Sequence, residues 1–291
     1  MTSGESEISF SWANRSKYVF DGEGRLDPEL FELAANAWSF LDESLNGLRL
    51  NQADACWASR VLAIYYAARI HGASAAATMA IGQRLGREAI ILSRCQYEYF
   101  VKMLYYDHYS EAASDVIRLL RSYGYRFAEA LGFEVQGDLP QEAIAKLEEL
   151  SKRAYRSDFA AIVRALRSNE SFSASARSGN PFAVGLLNNV DSMFKVLWTY
   201  GSSVLHAGVE DIVNVMIPRA DGHWDVNVDS RMKAPNKTVC DVTQRCFSAT
   251  GLLRWRFELG FEPRHVRWAQ RFGEVAARHT NEPADIKSMH D

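Results

Sequence analysis

Proline is absent from 111 consecutive residues of this chain, positions 29 to 139. Because proline breaks helix interiors, and because this stretch is rich in alanine, leucine, arginine and glutamate, it predicts a series of α-helices. The first begins at Asp27-Pro28, a capping residue followed by proline at the first helical position, and reaches about Asn46. We expect three more helices in this stretch, over 51–72, 74–107 and 110–132.

Proline also marks the helices of the second half. Pro140 and Pro181 open helices that reach about residues 167 and 207, and the serine-rich segment 168–180 between them is typical of a mobile loop. Alternating apolar residues then predict a β-hairpin at 212–228 with a five-residue loop, 218–222. Two last helices are expected over 237–259 and 263–279. We therefore predict an all-α multi-helix bundle with one small β-hairpin insertion, in which residues 1–26 form an N-terminal arm and residues 27–291 a single helical domain.

Composition excludes several classes of protein. The chain has 291 residues, of which 47% are hydrophobic and 24% charged, values that argue against a disordered or fibrous protein. The net charge of −3 argues against a surface built wholly for nucleic acid. The longest apolar run, Val61 to Ala68, is too short to cross a membrane, and the acidic N-terminus does not resemble a secretory signal. Four cysteines without a C-x-x-C pair favour reduced thiols, so we predict a cytoplasmic protein with no membrane association.

The third helix carries a polar stripe. Arg87, Arg94 and Glu98 are spaced seven and four residues apart, so they share one face among many apolar neighbours. A buried arginine must be paired, and Glu98 is the expected partner of Arg94. The stripe is explained by a structural ion pair or a solvated face, or alternatively by a pocket for an anionic ligand in which Arg94 provides a planar donor.

A second polar stripe lies on the helix that starts at Pro181. Ser202 and His206 are four residues apart and can hydrogen-bond along the helix, in the company of Thr199 and Glu210. A serine beside a histidine is a nucleophile–base pair in principle. However, no G-x-S-x-G turn is present, so a hydrogen-bonded core histidine is the simpler interpretation.

The two stripes together resemble a family. The order Arg94-x-x-x-Glu98, then Trp198-x-x-x-Ser202-x-x-x-His206, is similar to a bacterial family of helical proteins with an R-x-x-x-E helix and a later Y-x-x-x-S-x-x-x-H helix. Trp198 replaces the usual tyrosine and removes its hydroxyl. The resemblance covers about residues 41–208. It implies an all-helical bundle and an association with bacterial defence or mobile-element regions.

Metal and cofactor motifs are weak. Glu262-x-x-His265 is a single E-x-x-H, whereas a bridged metal pair in a bundle needs two. The sequence Asp225-x-Asn227-x-Asp229 alternates with valines and therefore indicates a strand, and no phosphate loop occurs. We expect no metal and no cofactor.

The C-terminal helix is the one basic stretch of the chain. Four arginines fall on one of its faces, namely Arg264, Arg267, Arg271 and Arg278. Arginines beside aromatic residues can follow a phosphate backbone, although a solvated helix face is the more usual explanation. Nucleic acid is therefore a possible but not a favoured partner.

The leading hypothesis is a binding or interaction module. Its polar pocket is built from Arg87, Arg94, Glu98, Ser202 and His206, and takes a small anionic ligand or a side chain of a partner protein. The alternative is a metal-independent hydrolase or ribonuclease in which His206 is the acid–base group and Arg94 stabilises negative charge. A third possibility is a structural homo-oligomer, and we expect self-association through Val215 and Trp224 of the hairpin.

Overall fold

A computed structural model describes residues 26–51, 53–117, 145, 159–168, 216–226 and 235–279. The described residues form an all-α bundle, as predicted. Its helices are α1 (Pro28–Asn46), α2 (Trp57–Gly82), α3 (Gly86–His108), α4 (Phe159–Ser168), α5 (Pro235–Arg256) and α6 (Pro263–His279), and residues 110–117 are also helical. The rest of the helices predicted over 110–132 and 140–167, the helix over 181–207 and residues 169–180 of the predicted loop lie outside the described residues; Ser168, predicted in that loop, is the last residue of α4.

Helix α1 begins and ends where the sequence predicts. Asp27 is the N-cap, and its Oδ1 accepts a hydrogen bond of 2.9 Å from the backbone N–H of Glu29. Pro28 occupies the first helical position, where its missing N–H has no intrahelical partner to lose. Helix α6, from Pro263 to His279, also has its predicted bounds.

The predicted break between the second and third helices is wrong. Helix α2 continues through Gly72, and the break comes ten residues later, at 83–85. There the N–H of Leu85 bonds to the carbonyl of Ala80, and the N–H of Arg84 to that of Ile81, a Schellman ending. Arg84 has the positive φ of 65° that this ending requires and that glycine usually supplies. Gly72 lies inside the helix, and an arginine rather than a glycine ends it. A helix boundary predicted from the position of the glycine is therefore misplaced.

Helices α1, α3 and α5 run in the same direction. Asn236 and Arg254, near the two ends of α5, bond to Asp27 and Ser44, at the corresponding ends of α1. The side chain of Arg245 on α5 contacts Gln96 on α3. About three turns closer to the carboxyl ends of both helices, Arg256 contacts Asp107. The two residues of each pair are 149 positions apart in the sequence. This constant separation is the mark of parallel helices in register. Helix α2 is antiparallel to α3, since Ser74 contacts Gln96 whereas the earlier residue Arg69 contacts the later residue Tyr99.

The bundle core forms where α1, α2, α3 and α5 face each other. Its fully buried side chains include Leu30, Leu41, Ile70, Phe100 and Leu253. Helix α6 covers α1 and α5 with an aromatic seam, in which the Trp268 ring lies 4.3 Å from that of Phe247 and 5.0 Å from that of Phe272. Trp268 Nε1 also donates a 3.0 Å hydrogen bond to the carbonyl of Leu33, which fixes α6 on α1.

The described residues also include a short antiparallel ribbon. Its strands, β1 (Met216–Pro218) and β2 (Trp224–Val226), pair with Met216 opposite Val226. The connecting residues are 219–223, one position later than the predicted loop, and Gly222 has a φ of 84° that suits the tight turn. The outer residues of the predicted hairpin, 212–215 and 227–228, lie outside the described residues, and so does the expected contact at Val215.

Candidate functional site

The predicted ion pair of α3 is present and largely buried. Arg94 is only 7% exposed, and its Nη1 lies 3.8 Å from Oε2 of Glu98. Lys102 Nζ approaches the other carboxylate oxygen of Glu98 to 2.5 Å, so this carboxylate is shared between two cations. Arg87 is half-buried two turns earlier on the same helix. Ser202 and His206 lie outside the described residues, as do Thr199 and Glu210, so the meeting of the two polar stripes stays a prediction.

A buried polar layer that the sequence analysis did not find lies between α3 and α5. Arg245 is completely buried, and its Nε donates a 2.6 Å hydrogen bond to Oε1 of Gln96. Its Nη2 donates to Oγ of Ser93 at 2.9 Å. Gln96 in turn donates through Nε2 to Ser74 Oγ on α2, at 2.6 Å, and to the carbonyl of Val242, at 2.7 Å. One amide side chain thus connects three helices.

In this buried layer, burial and neighbouring charges act in opposite directions on the pKa values of Arg245 and Asp241. Burial lowers the pKa of Arg245, while the negative charge of Asp241, one turn earlier on α5, acts to raise it. Burial likewise raises the pKa of Asp241, and the charges of Arg245 and Lys237 oppose that shift. Arg245 is placed on the apolar face of α5 by its spacing from Val242, Cys246 and Ala249. An arginine on an apolar helix face is the sequence signal from which its burial could have been predicted.

The predicted basic face of α6 lies against acidic residues of α1. Arg264 contacts the carboxylate of Glu43 at 2.5 Å, and both Arg271 and Arg278 contact Glu29. Arg271 is also paired with Glu274 on its own helix. Of the four arginines proposed for nucleic-acid contact, three are therefore engaged in interhelical ion pairs, whereas Arg267 is exposed with no ion pair among the described residues.

A groove lies at the carboxyl end of α5. We call it the α5 groove; it has a volume of about 520 Å³ and is lined by Arg60, Arg254, Trp255, Arg256, Glu258, Gly260 and Phe261. Trp255 is 62% exposed and Phe261 39% exposed. Leu259, in the same loop, and Val266, on the first turn of α6, are two more large apolar side chains that reach solvent. Four large apolar residues thus reach solvent within twelve positions of the chain, and two of them, Trp255 and Phe261, line the groove.

The arginines of the α5 groove are held by the protein itself. Arg256 donates to Oδ1 of Asp107 at 2.5 Å and to its carbonyl at 2.9 Å, and Arg60 forms an ion pair with Asp54. Arg254 donates to the carbonyls of Gly260, at 2.6 Å, and Leu259, at 3.3 Å. The arginine side chains that line the groove are therefore already paired, and they leave little unbalanced positive charge with which to attract an anion.

The loop that forms the rim of the groove has an unusual backbone. Glu258 has a φ of 54° and Gly260 a φ of 65°, both in the left-handed region. Glu258 occupies the position after a helix C-terminus where glycine is common, since the N–H of Leu259 bonds to the carbonyl of Arg254. The left-handed conformation costs a residue with a β-carbon about 1–2 kcal/mol. Leu259 and Phe261, which follow these two residues directly, are exposed at the rim.

No family model, curated protein or solved structure matches this chain. The family resemblance in the polar stripes therefore stays a prediction, and so does the association with bacterial defence. Residues 26–51, 53–117, 159–168, 216–226 and 235–279 contain no helix long and apolar enough to cross a bilayer. In the same ranges, no three histidine, cysteine or carboxylate side chains come together as a metal site would need.

Proposed function

We propose that this protein is a binding module that engages another polypeptide through the α5 groove. The observation that carries the proposal is Trp255, which is 62% exposed at the edge of a groove with a volume of about 520 Å³. Tryptophan is one of the side chains that are enriched at the energetic centres of protein interfaces. Burying such a ring removes a large apolar area from water and leaves its indole N–H free to donate.

The charges around the groove favour a polypeptide over a small anion. Arg60 and Arg256 already have the carboxylates of Asp54 and Asp107, and Arg254 binds the carbonyls of its own loop. An incoming phosphate or carboxylate would have to compete with these contacts. An apolar segment needs no such exchange, because Trp255, Leu259 and Phe261 are exposed without rearrangement.

The hydrogen-bonded backbone that carries these side chains supports binding rather than catalysis. Arg254 ties the carboxyl end of α5 to the rim loop through two hydrogen bonds, and Arg256 ties it to α3. A preformed surface loses little conformational entropy when it binds a partner. The pocket predicted around Arg94, Glu98, Ser202 and His206 remains a separate hypothesis for a second ligand.

The proposal can be tested by peptide selection. A displayed peptide library is selected on the immobilised protein and counter-selected on the Trp255→Ser variant. We expect apolar peptides that bind the wild type at least about tenfold more tightly than the Trp255→Ser and Phe261→Ser variants, a difference of about 1.4 kcal/mol per residue.

The matched control is Met79→Ser. Met79 is 58% exposed on α2, but it lies 19 residues after Arg60 on that helix, about 28 Å from the groove end of the bundle. This variant should bind the selected peptides as well as the wild type. Peptides that bind all four proteins equally would contradict the proposed site.

A further inference from the structure

Arg69 of α2 is an exposed cation that a neutral side chain holds in place. Its Nη2 donates a 3.0 Å hydrogen bond to the hydroxyl of Tyr99 on α3, and its guanidinium carbon lies 5.2 Å from the centroid of the Tyr99 ring. No carboxylate in the part of the chain that the structure describes pairs with it. The exposed Arg264 and Arg271 of α6, in contrast, are held by glutamates. Arg69 is thus positioned without being neutralised.

The charges of α2 and α3 around Arg69 are mainly positive. Helix α2 contains no aspartate or glutamate, and its other arginine, Arg60, has a carboxylate partner of its own. On α3, the carboxylate nearest in sequence to the Arg69 contact is Glu98, which is already shared between Arg94 and Lys102. Because three cations here face a single carboxylate, this part of the surface favours an anionic ligand.

Tyrosine rings surround the guanidinium of Arg69. Tyr65 lies one helical turn earlier on α2, and the residue is 54% exposed. Its ring centroid is 5.2 Å from that of Tyr66, which in turn is 6.4 Å from that of Tyr99. We call these four residues the Arg69 surface. It combines a fixed, unbalanced cation with an open aromatic ring, and both of these groups stack on planar ligands.

We propose that the Arg69 surface binds a planar aromatic group that carries a phosphate, the chemistry of a nucleoside monophosphate. Tyr99 accepts from one N–H of Arg69, and the remaining N–H groups of the guanidinium are available for two phosphate oxygens. The aromatic ring of the ligand stacks on Tyr65. A bare anion would leave the exposed tyrosine ring unused, and an uncharged ring would leave the cation unbalanced.

The Arg69 surface is separate from the α5 groove. Arg60, which lines the groove, lies nine residues before Arg69 on α2. Nine residues correspond to about two and a half turns, or about 14 Å, so the two side chains leave opposite sides of the helix. The inference therefore does not depend on the proposed function.

Calorimetric titration with adenosine monophosphate tests the inference, and adenosine and inorganic phosphate serve as its two halves. We expect the monophosphate to bind the wild type at least about tenfold more tightly than either half. Arg69→Gln should weaken the binding of the monophosphate at least about tenfold and leave that of adenosine unchanged. Tyr65→Ser should also weaken the binding of the monophosphate, but it should leave that of inorganic phosphate unchanged.

The matched control is Arg267→Gln. It removes the same charge from an exposed arginine of α6 that has no ion pair among the described residues, and it should bind the monophosphate as the wild type does. Arg69→Lys keeps the charge but loses the planar fork, so its affinity should lie between those of the wild type and Arg69→Gln. Both Arg69 variants should keep the wild-type thermal midpoint, because this side chain is exposed.

Three results would overturn the inference. They are a wild type that does not bind the monophosphate at about 10 mM, a wild type that binds inorganic phosphate as tightly as the monophosphate, and an equal loss of affinity in Arg69→Gln and Arg267→Gln. Trp255→Ser should bind the monophosphate as the wild type does, so the peptide selection and this titration succeed or fail separately.

Discussion

Gln96 and Arg245, 149 residues apart in the chain, meet in the interior of the bundle at 2.6 Å. Gln96 Oε1 accepts from the guanidinium, while its amide nitrogen donates to Ser74 Oγ and to the carbonyl of Val242. A fully buried cation is costly unless it is hydrogen-bonded, and here neutral side chains bind it. This layer fixes the positions of α2, α3 and α5 relative to one another.

Removal of the glutamine should therefore be severe. Gln96→Leu leaves Arg245 buried without its main acceptor, and we expect a loss of about 3 kcal/mol in the free energy of unfolding. Adding Arg245→Met should restore at least about 1 kcal/mol, because the double variant no longer buries an unpaired charge. Urea unfolding of the wild type, the two single variants Gln96→Leu and Arg245→Met, and the double variant measures the coupling free energy between the two side chains. Losses that simply add would show that the two side chains do not depend on each other.

His265 should make stability depend on pH. Its ring is buried against Phe40, and its Nδ1 accepts a 3.0 Å hydrogen bond from the N–H of Glu262. Burial first, and then the charge of Arg254, lowers the pKa of His265 below its ordinary value of 6.5. Because the unfolded chain takes up this proton more readily than the folded one, stability should be fully present above pH 6.5 and decrease as the pH falls from 6.5 toward the lowered pKa.

The His265→Leu variant tests the source of this dependence. Its unfolding free energy should be lower than that of the wild type at pH 8 but should fall less between pH 7 and about pH 5. His223→Gln, which changes an exposed histidine of the β1–β2 turn, should keep the wild-type slope. A slope that His265→Leu leaves unaltered would assign the dependence to another group.

The backbone of Glu258 offers a test of strain. Glu258→Gly places a residue without a β-carbon at a φ of 54° and should raise the free energy of unfolding by about 1 kcal/mol. The same replacement at Gln244, an exposed position in the middle of α5, should lower the free energy of unfolding by about 1 kcal/mol. Thermal unfolding of both variants provides the comparison. Destabilisation by both would mean that the glutamate side chain contributes more than the strain costs.

The attachment of α6 should depend on its aromatic seam rather than on its ion pairs. Trp268→Ala removes a buried ring and its hydrogen bond to Leu33, and we expect a loss of about 3–5 kcal/mol. Glu29→Gln should have a much smaller effect that disappears at high salt, because its pairs with Arg271 and Arg278 are exposed. Urea unfolding at two salt concentrations separates the two contributions. If Glu29→Gln caused a salt-dependent loss equal to that of Trp268→Ala, the ion pairs would contribute as much as the aromatic seam, and the prediction would be wrong.

Local signals in the sequence predicted what local physics determines. The cap at Asp27-Pro28 and the bounds of α6 are confirmed because capping and proline act within one helical turn. The α2–α3 boundary was misplaced because Arg84 supplies a positive φ that residue type does not reveal. The contact between Gln96 and Arg245 could not be predicted, since it depends on the parallel register of two helices far apart in sequence.

In the candidate site, too, local contacts were predictable from the sequence and long-range contacts were not. The pairing of Arg94 with Glu98 follows from a spacing of four residues and is present, although Lys102 shares the carboxylate. The basic face of α6 was recognised, but its partners on α1 are more than 220 residues away in sequence, so their neutralising effect was not foreseen. The α5 groove combines α2, α5 and the rim loop, and no single segment of the sequence indicates it.

Hydroxyl-radical footprinting of Trp255 tests the central claim, that the α5 groove is a contact surface, most directly. In dilute, peptide-free protein Trp255 should be oxidised readily, because 62% of the residue is exposed. When a selected peptide is added, its oxidation rate should fall several-fold while that of the exposed Met79 stays constant. A Trp255 oxidation rate that the peptide does not change would contradict the account.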